Sequence, residues 1–328
     1  MNLHRLRRSL ADKLSISSLC LLLVILCQAC SHLQARPAIP AQTFHFQDGG
    51  TARYFSFDKR LETSPSHSTD GPIVSYLFVV SGSDCIDMQP LLPQYFRGLE
   101  GESGAIRIFI LQKRFIQPSR WNFSQTCSAD FIKADHPQRW LADQNEFIHA
   151  QLALAAASGA IPKHIALLGI SEGGDIVSTL AHDIPRISHL AILGNGGMNT
   201  LDAYRLQAQK HGFADQLNAL EVLNHPPAEP DASENFIAGR SWRYWAELRD
   251  LQQSRQLLAL DIPILIGMGT ADQSVPVESA LYTRTQAELH KRHNLTVLLY
   301  PEADHGLRSA DRNHLPDFLF ALDNLLQK

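Results

Sequence analysis

The sequence predicts an α/β fold: a doubly wound, mostly parallel sheet with an N-terminal antiparallel hairpin and an inserted helical cap. Short, almost continuous apolar runs recur along the chain, as in strands that are buried on both faces. Amphipathic segments with helical spacing separate these runs, and this alternation is typical of a parallel sheet covered by helices. One long stretch, 199–261, contains no such apolar run.

The predicted buried strands are IVSYLFVV from Ile73, AIRIFIL from Ala105, HIALLG from His164, HLAILG from His189, PILIGMG from Pro263 and LTVLLY from Leu295. The predicted helices are QRWLADQNEFIHAQLALAAAS from Gln138, EGGDIVSTLAHD from Glu172, VESALYTRTQAELHKRH from Val277 and LPDFLFALDNLLQK from Leu315. The hairpin is predicted from TFHFQ at Thr43 and ARYFSFD at Ala52, which alternate aromatic and polar residues on either side of DGG.

The stretch 199–261 lies between two predicted strands and carries polar helical segments around the loop HPPAEPDAS. In open α/β sheets the ligand site borders the carboxyl ends of the strands. We therefore expect 199–261 to form a cap above these ends, within a domain that extends over 37–328.

Composition limits the class of partner. The chain of 328 residues is 45% hydrophobic, which is enough for a sizeable core, and its formal net charge is -4. Such a balance provides no field that would gather nucleic acid or an anionic membrane. Small molecules are the expected partners, and the sequence leaves the oligomeric state open.

Residues 1–36 have the layout of a secretory signal peptide. The basic stretch MNLHRLRRSLADK is followed by the short apolar run ISSLCLLLVILC and by small residues. Cleavage is expected after Ala29 or Ala35. The sequence CQAC, which ends at Cys30, resembles a bacterial lipoprotein box, although the residues before Ala29 are atypical of it. We expect an exported protein, periplasmic or secreted, with membrane anchoring only through a lipidated Cys30.

Removal of that segment leaves two cysteines, Cys85 and Cys127, in the folded part of the chain. Because exported proteins fold in an oxidising compartment, a disulfide between them is the natural expectation. Two buried free thiols are the alternative.

The stretch LLGISEGGD places Ser171 between glycines at the end of a predicted strand and before a predicted helix. G-x-S-x-G in this context is the arrangement of a nucleophile elbow, in which a sharp turn projects the serine side chain above the sheet. The alternative is an ordinary serine that caps a helix. A serine nucleophile needs a base and a group that orients the base.

Two loops at the ends of later strands supply these groups. GTADQSVP places Asp272 after one strand, and PEADHGL places His305 after the next. Asp304 and Asp261 are weaker candidates for the acid, because the first adjoins the histidine and the second precedes its strand. The chain order serine, aspartate, histidine is the one expected of α/β-hydrolases.

In the motifs GISEGG, GTADQSVP and PEADHGL the sequence resembles the α/β-hydrolase superfamily, and within it the dienelactone-hydrolase and prolyl-oligopeptidase-like branches. The resemblance implies a Ser-His-Asp hydrolase with a cap after the sixth strand. It also places the oxyanion hole at the backbone amide of Glu172 and in the loop SGSDC, where alignment favours the amide of Ser83. Family members often carry His-Gly in that loop, and this chain has Ser81-Gly82.

Three other patterns in the sequence have weaker functional interpretations. GNGGMN from Gly194 imitates a dinucleotide fingerprint, but Asn199 occupies the last glycine position. His290 and His293 lack a third ligand nearby in sequence, so a solvated helix end is the better interpretation. Trp242, Tyr244 and Trp245 either line a substrate pocket or pack the cap on the body; the sequence does not distinguish the two.

The sequence therefore predicts an exported serine hydrolase that cleaves a carboxylic ester through an acyl-enzyme on Ser171, with no metal or organic cofactor. A peptidase or amidase that uses the same three residues is the first alternative. A non-catalytic relative that only binds a ligand is the second, although binding alone has no need of the three residues.

Overall fold

The computed structural model describes residues 38–60, 72–101, 104–118, 126–212 and 219–327. The expected signal segment 1–36, including Cys30, lies outside these ranges. Ile39–Lys328 forms one compact unit. Within the described ranges no helix is both long and apolar enough to cross a bilayer.

The strands are β1 (Gln42–His45), β2 (Thr51–Lys59), β3 (Ile73–Val80), β4 (Ala105–Leu111), β5 (His164–Ile170), β6 (His189–Leu193), β7 (Ile264–Gly269) and β8 (Leu295–Tyr300). The α-helices are α1 (Leu92–Tyr95), α2 (Ala129–Ala134), α3 (Pro137–Ala157), α4 (Gly174–Asp183), α5 (Thr200–His211), α6 (Trp242–Asp250), α7 (Gln253–Ala259), α8 (Glu278–Leu289) and α9 (Leu315–Leu325). Short 3₁₀ helices occupy Ser171–Gly173, Ala219–Asn224 and Ser233–Asn235.

The described strands form one sheet in the spatial order β1-β2-β4-β3-β5-β6-β7-β8. The hairpin strands β1 and β2 are antiparallel, and β2 pairs antiparallel with β4. All other neighbours are parallel. The predicted α/β fold with a leading antiparallel hairpin is confirmed.

Side chains alternate between two cores because successive residues of a strand point to opposite faces. From β3, Phe78 faces a core that includes Phe147 of α3 and Ile176 of α4. Its neighbour Leu77 faces a second core that includes Phe318 of α9. Helices thus cover both faces of the sheet, which explains why its central strands are continuous apolar runs.

The prediction from the sequence did not include two short helices, α1 and α2. Helix α2 begins with a local signal, since the Ser128 side chain accepts a hydrogen bond from the Phe131 amide at 3.1 Å. Its few residues carry too little periodic apolar pattern to stand out from a loop.

The stretch 199–261 leads from β6 to β7, and its described residues form α5, α6, α7 and two 3₁₀ helices. Helix α7 packs against α4, and α6 packs against α3 and α5. The segment is thus helical, as expected, and it contacts the helices on one face of the sheet. Its treatment as a separate cap stays a prediction.

Candidate active site

Ser171 lies in a sharp turn at the carboxyl end of β5. Its φ of 52° is in the left-handed region, which a residue with a Cβ atom rarely adopts. The flanking glycines allow the turn. A Cβ on Gly173 would lie 2.2 Å from the Val80 carbonyl oxygen, and one on Gly169 would lie 2.8 Å from that of Gly173. Larger residues would therefore force strand and helix apart.

His305 and Asp272 lie in the loops after β8 and β7, as their sequence positions predicted. His305 Nε2 is 2.9 Å from Ser171 Oγ, and His305 Nδ1 is 2.7 Å from Asp272 Oδ2. A carboxylate only accepts hydrogen bonds, so Nδ1 carries the proton and Nε2 accepts from the serine hydroxyl. The three predicted residues form one continuous chain of hydrogen bonds.

Asp272 is buried and its second oxygen is also engaged. Oδ1 accepts hydrogen bonds from the amides of Ser274 and Val275, at 2.8 and 2.9 Å. These bonds orient the carboxylate, which leaves Oδ2 directed at the histidine. Asp272 thus binds its own turn through one carboxylate oxygen and His305 through the other.

The two weaker candidates for the acid have other partners. Asp304 Oδ1 accepts hydrogen bonds from the amides of Gly306 and Arg308, at 2.9 and 2.8 Å. Asp261 is exposed and pairs with Arg292 at 2.7 Å. These contacts favour Asp272 as the partner of the histidine.

A cavity of about 680 Å³ opens at Ser171 and His305. The loop after β3 and the chain that follows β8 form most of its wall, which includes Ile86, Leu91 and Leu315. Within the described ranges, no lining residue comes from 199–261. The cavity can therefore receive an apolar group beside the serine hydroxyl.

The loop SGSDC approaches the serine closely. A Cβ on Gly82 would lie 3.2 Å from Ser171 Cβ, and Ser83 lines the cavity with Ser171. Glu172 follows Ser171 within the 3₁₀ helix. Both proposed oxyanion donors thus belong to segments that border the serine, and their role stays a prediction.

The side chain of Glu172 is buried in a cluster of charges that the sequence did not reveal. Lys113 Nζ lies 2.5 Å from Glu172 Oε2 and 2.8 Å from Asp135 Oδ1. The Tyr244 hydroxyl donates to Glu172 Oε1, and Arg240 pairs with Asp135. These contacts join residues that are far apart in the chain, so no local spacing in the sequence predicts them. The sequence motif assigned a role only to the backbone amide of Glu172 and none to its side chain.

Burial perturbs two of these groups. It lowers the pKa of the Lys113 ammonium to about 8, although the negative charge of Glu172 acts in the opposite direction. It also raises the pKa of the Tyr244 hydroxyl well above its usual range, with a further contribution from Glu172. Tyr244 therefore stays a neutral donor.

Asn195 is a second residue whose role the sequence did not indicate. Its Nδ2 donates to the Ser171 carbonyl oxygen at 3.2 Å and to Asp175 Oδ1 at 2.8 Å. Its Oδ1 accepts from the Gly197 amide at 2.9 Å and from Gln253 Nε2 at 3.1 Å. The available signal was position: Asn195 follows β6, the strand beside the elbow.

Asp175 lies beneath the elbow in the first turn of α4. Burial raises the pKa of its carboxyl to about 7, and the hydrogen bond from Asn195 opposes that shift. This carboxyl therefore changes its protonation state near neutral pH.

The aromatic residues of α6 contact protein rather than the cavity. The Tyr244 ring lies 6.0 Å from that of Trp140, between centroids. The indole nitrogens of Trp245 and Trp242 donate to backbone carbonyl oxygens at 2.9 and 3.1 Å. These contacts favour packing over substrate binding.

The other predicted residues are also placed. Cys85 and Cys127 form a disulfide with Cα atoms 5.6 Å apart. His290 and His293 are exposed at and just beyond the end of α8, as in a solvated helix end.

The sheet, the elbow and the loops after β7 and β8 place the protein in the class of α/β-hydrolase fold serine hydrolases. The chain belongs to the prolyl oligopeptidase family, whose model matches residues 128–323. No curated protein matches the chain by sequence.

Solved structures similar to the chain share its fold at low identity. Est1E from Butyrivibrio proteoclasticus is 15% identical, with a TM-score of 0.57, over 87% of this chain and 97% of that one. A soluble variant of monoglyceride lipase from Saccharomyces cerevisiae is 14% identical, with a TM-score of 0.54, over 89% and 96%. Pyrococcus horikoshii acylaminoacyl peptidase is 11% identical, with a TM-score of 0.54, over 90% of this chain and 42% of that one.

Proposed function

We propose that the protein is an exported serine hydrolase that cleaves carboxylic esters through an acyl-enzyme on Ser171. The observation that carries this proposal is the hydrogen-bonded chain from Ser171 Oγ through His305 to Asp272, with distances of 2.9 and 2.7 Å. The turn exposes the hydroxyl to the cavity, where an acyl carbon can approach it.

In the proposed reaction Ser171 Oγ attacks the acyl carbon while His305 Nε2 takes the hydroxyl proton. Asp272 holds the imidazole and stabilises its cationic form. The carbonyl oxygen becomes an oxyanion, for which the amides of Ser83 and Glu172 are the proposed donors. His305 then gives its proton to the leaving alcohol, and water releases the acyl group by the same base. This sequence of steps uses no metal or organic cofactor.

The apolar residues of the cavity wall favour an ester with an apolar acyl group. Cleavage of an amide or peptide bond is the second candidate, favoured by membership of the prolyl oligopeptidase family and by the fold shared with an acylaminoacyl peptidase. The same three residues serve both reactions. Ester and amide differ in the leaving group that His305 must protonate.

A panel of p-nitrophenyl esters of increasing acyl length, run beside the matching p-nitroanilides, tests the proposal. We expect kcat/KM for the esters to exceed that for the anilides, and turnover to be lost in Ser171→Ala. Asp272→Asn should lower kcat by about 10⁴ because the histidine loses the proper tautomer. A higher kcat/KM for the anilides would establish the amide alternative. No turnover of either series would leave the ligand-binding interpretation.

Export is proposed from the composition of residues 1–36 and from the disulfide. Lipidation of Cys30 belongs to the same proposal. Intact-mass analysis of the protein made in an exporting bacterial host tests both points. An unmodified, uncleaved N-terminus would overturn export, and cleavage without an added acyl mass would overturn lipidation.

A further inference from the structure

Arg240 lies between the two segments that carry the proposed oxyanion donors. Its guanidinium pairs through Nη1 with Asp135. Through Nη2 it lies 3.4 Å from Asp84 Oδ1 and 3.7 Å from Glu172 Oε1. Arg240 belongs to the stretch 199–261, outside the loops that surround Ser171.

Two of these partners, Asp84 and Glu172, lie at the proposed oxyanion donors, so the contacts of Arg240 bear on catalysis. Asp84 directly follows Ser83, and Glu172 is itself the second proposed donor. An oxyanion hole works only when its two N-H groups converge on the place where the negative charge develops. A group that holds Asp84 and Glu172 together therefore controls the distance between the two amides.

The loop that contains Ser83 needs such support. Asp84 has a φ of 72°, a left-handed conformation that persists in a non-glycine residue when its surroundings hold it. The Cys85–Cys127 disulfide fixes the residue that follows Asp84, and the pairing with Arg240 holds the side chain of Asp84 itself.

The four buried charged side chains around Glu172 are two cations and two carboxylates, so a substitution that tests Arg240 has to keep the positive charge. Lys113 and Arg240 face Asp135 and Glu172, and the four side chains are at most 14% exposed. Loss of one cation would leave two buried carboxylates facing a single positive charge, and thus one buried negative charge uncompensated. Lysine at position 240 keeps the charge, but its single ammonium cannot reproduce the planar fork that reaches three carboxylates.

We propose that Arg240 is a positioning residue of the oxyanion hole: its guanidinium joins the Ser83 loop to the elbow and sets the separation of their amides. The inference rests on the proposed function of the same site. It also gives the stretch 199–261 a function: through Arg240 it positions the Ser83 loop and the elbow, and it does not line the cavity.

The test compares Arg240→Lys with Arg243→Lys, a matched change three residues along the chain at an arginine that pairs with the partly exposed Asp231. Rates are normalised to the active sites that a p-nitrophenol burst counts, so unfolded protein does not contribute. We expect Arg240→Lys to lower kcat about tenfold with KM changed less than about threefold, because small displacements of catalytic groups are costly. Arg243→Lys should match the parent.

An inhibitor supplies the readout that a purely structural role would not move. The carbonyl carbon of a trifluoromethyl ketone forms a bond with Ser171 Oγ. The proton of the Ser171 hydroxyl passes to His305, and the carbonyl oxygen of the ketone becomes an oxyanion. Its Ki should rise with Arg240→Lys by the same factor as kcat/KM falls. An unchanged Ki, or a kcat per active site equal to that of the parent, overturns the inference.

Asp84→Asn probes the same link without altering a buried charge, since the Asp84 side chain is 59% exposed. Asp84→Asn should lower kcat by about threefold or more, and an unchanged kcat overturns the inference. If Arg240→Lys does not fold, Asp84→Asn alone tests the role of Arg240. If the parent hydrolyses the esters and Ser171→Ala does not, the proposed function stands whatever these variants show. An inactive parent would overturn the function itself.

Discussion

Ser171 combines a strained backbone with a fixed side-chain environment. Its φ of 52° has a free-energy cost on the order of 1–3 kcal/mol, which the surrounding contacts must offset. Those contacts include the Asn195 bond to the Ser171 carbonyl and the close approach of Gly173 to β3. The strain keeps the hydroxyl in place before any substrate arrives.

Asn195→Ala tests how far this support matters for turnover. Loss of the donor should let the elbow relax, and we expect kcat to fall about fivefold with little change in KM, because a hydrogen bond is worth about 1 kcal/mol. The measurement is steady-state ester hydrolysis, normalised by burst titration.

Asn199→Ala is the control for that experiment. Asn199 accepts a hydrogen bond from the Ser254 amide at 3.2 Å, and its side chain has no bond to the elbow. It should retain the rate of the parent. Equal rates in Asn195→Ala and Asn199→Ala would show that the elbow holds its conformation without Asn195.

At the scale of elements, β5 and β6 begin with neighbouring histidines. The rings of His164 and His189 lie 5.1 Å apart between centroids. They lie at the amino ends of the two strands, whereas Ser171 follows the carboxyl end of β5. Burial lowers the pKa of His189 to about 4, and the neighbouring His164 contributes to that shift. Burial and the charge of Lys163 also lower the pKa of His164. Both histidines are therefore neutral in the folded protein at pH 7.

His189 makes folding sensitive to acid. An unfolded histidine has a pKa of about 6.5, so the unfolded state binds the proton first as the pH falls. The free energy of unfolding should thus decrease between about pH 6.5 and pH 4, by about 3 kcal/mol for this residue. His189→Asn should lack this decrease, which urea unfolding at pH 7 and pH 4 would measure.

The difference between parent and variant isolates that effect. The raised pKa of Asp175 acts with the opposite sign, since its contribution to stability grows as the pH falls below about 7. This contribution is common to both proteins and cancels. The exposed His290 provides a control, because His290→Asn should follow the parent at both pH values. A His189→Asn profile parallel to that of the parent would contradict the assignment.

The sequence predicted the elements and residues that depend on local pattern. The buried strands are continuous apolar runs, and Ser171, Asp272 and His305 each follow one of them, so parallel strand order brings their loops to one edge. The charge cluster of Lys113, Glu172 and Arg240 depends on contacts between distant segments. No periodicity encodes such contacts, and the same limit applies to the packing of Trp245 and to Asn195.

For the whole molecule, the Cys85–Cys127 disulfide is a covalent tie between distant segments. Cys85 and Cys127 are 42 positions apart, and Cys85 packs in a small core with Ile116 and Phe131. Closing a loop of that length stabilises the folded state by roughly 4 kcal/mol in the chain-entropy model. Reduction with dithiothreitol should lower the free energy of unfolding by about this amount, measured by urea unfolding with and without the reductant.

The double variant Cys85→Ala, Cys127→Ala separates the bond from other thiol effects. It should unfold at the urea concentration of the reduced parent, and dithiothreitol should leave it unchanged. If reduction shifted the variant as much as the parent, the stabilisation would have to come from another cysteine.

The central claim concerns the whole site: a single hydroxyl, activated by His305 and Asp272, is the nucleophile. Labelling with a fluorophosphonate, followed by intact-mass analysis and peptide mapping, tests it most directly. The parent should gain one adduct, on Ser171, and Ser171→Ala should gain none. Equal labelling of the two proteins would contradict the assignment of Ser171.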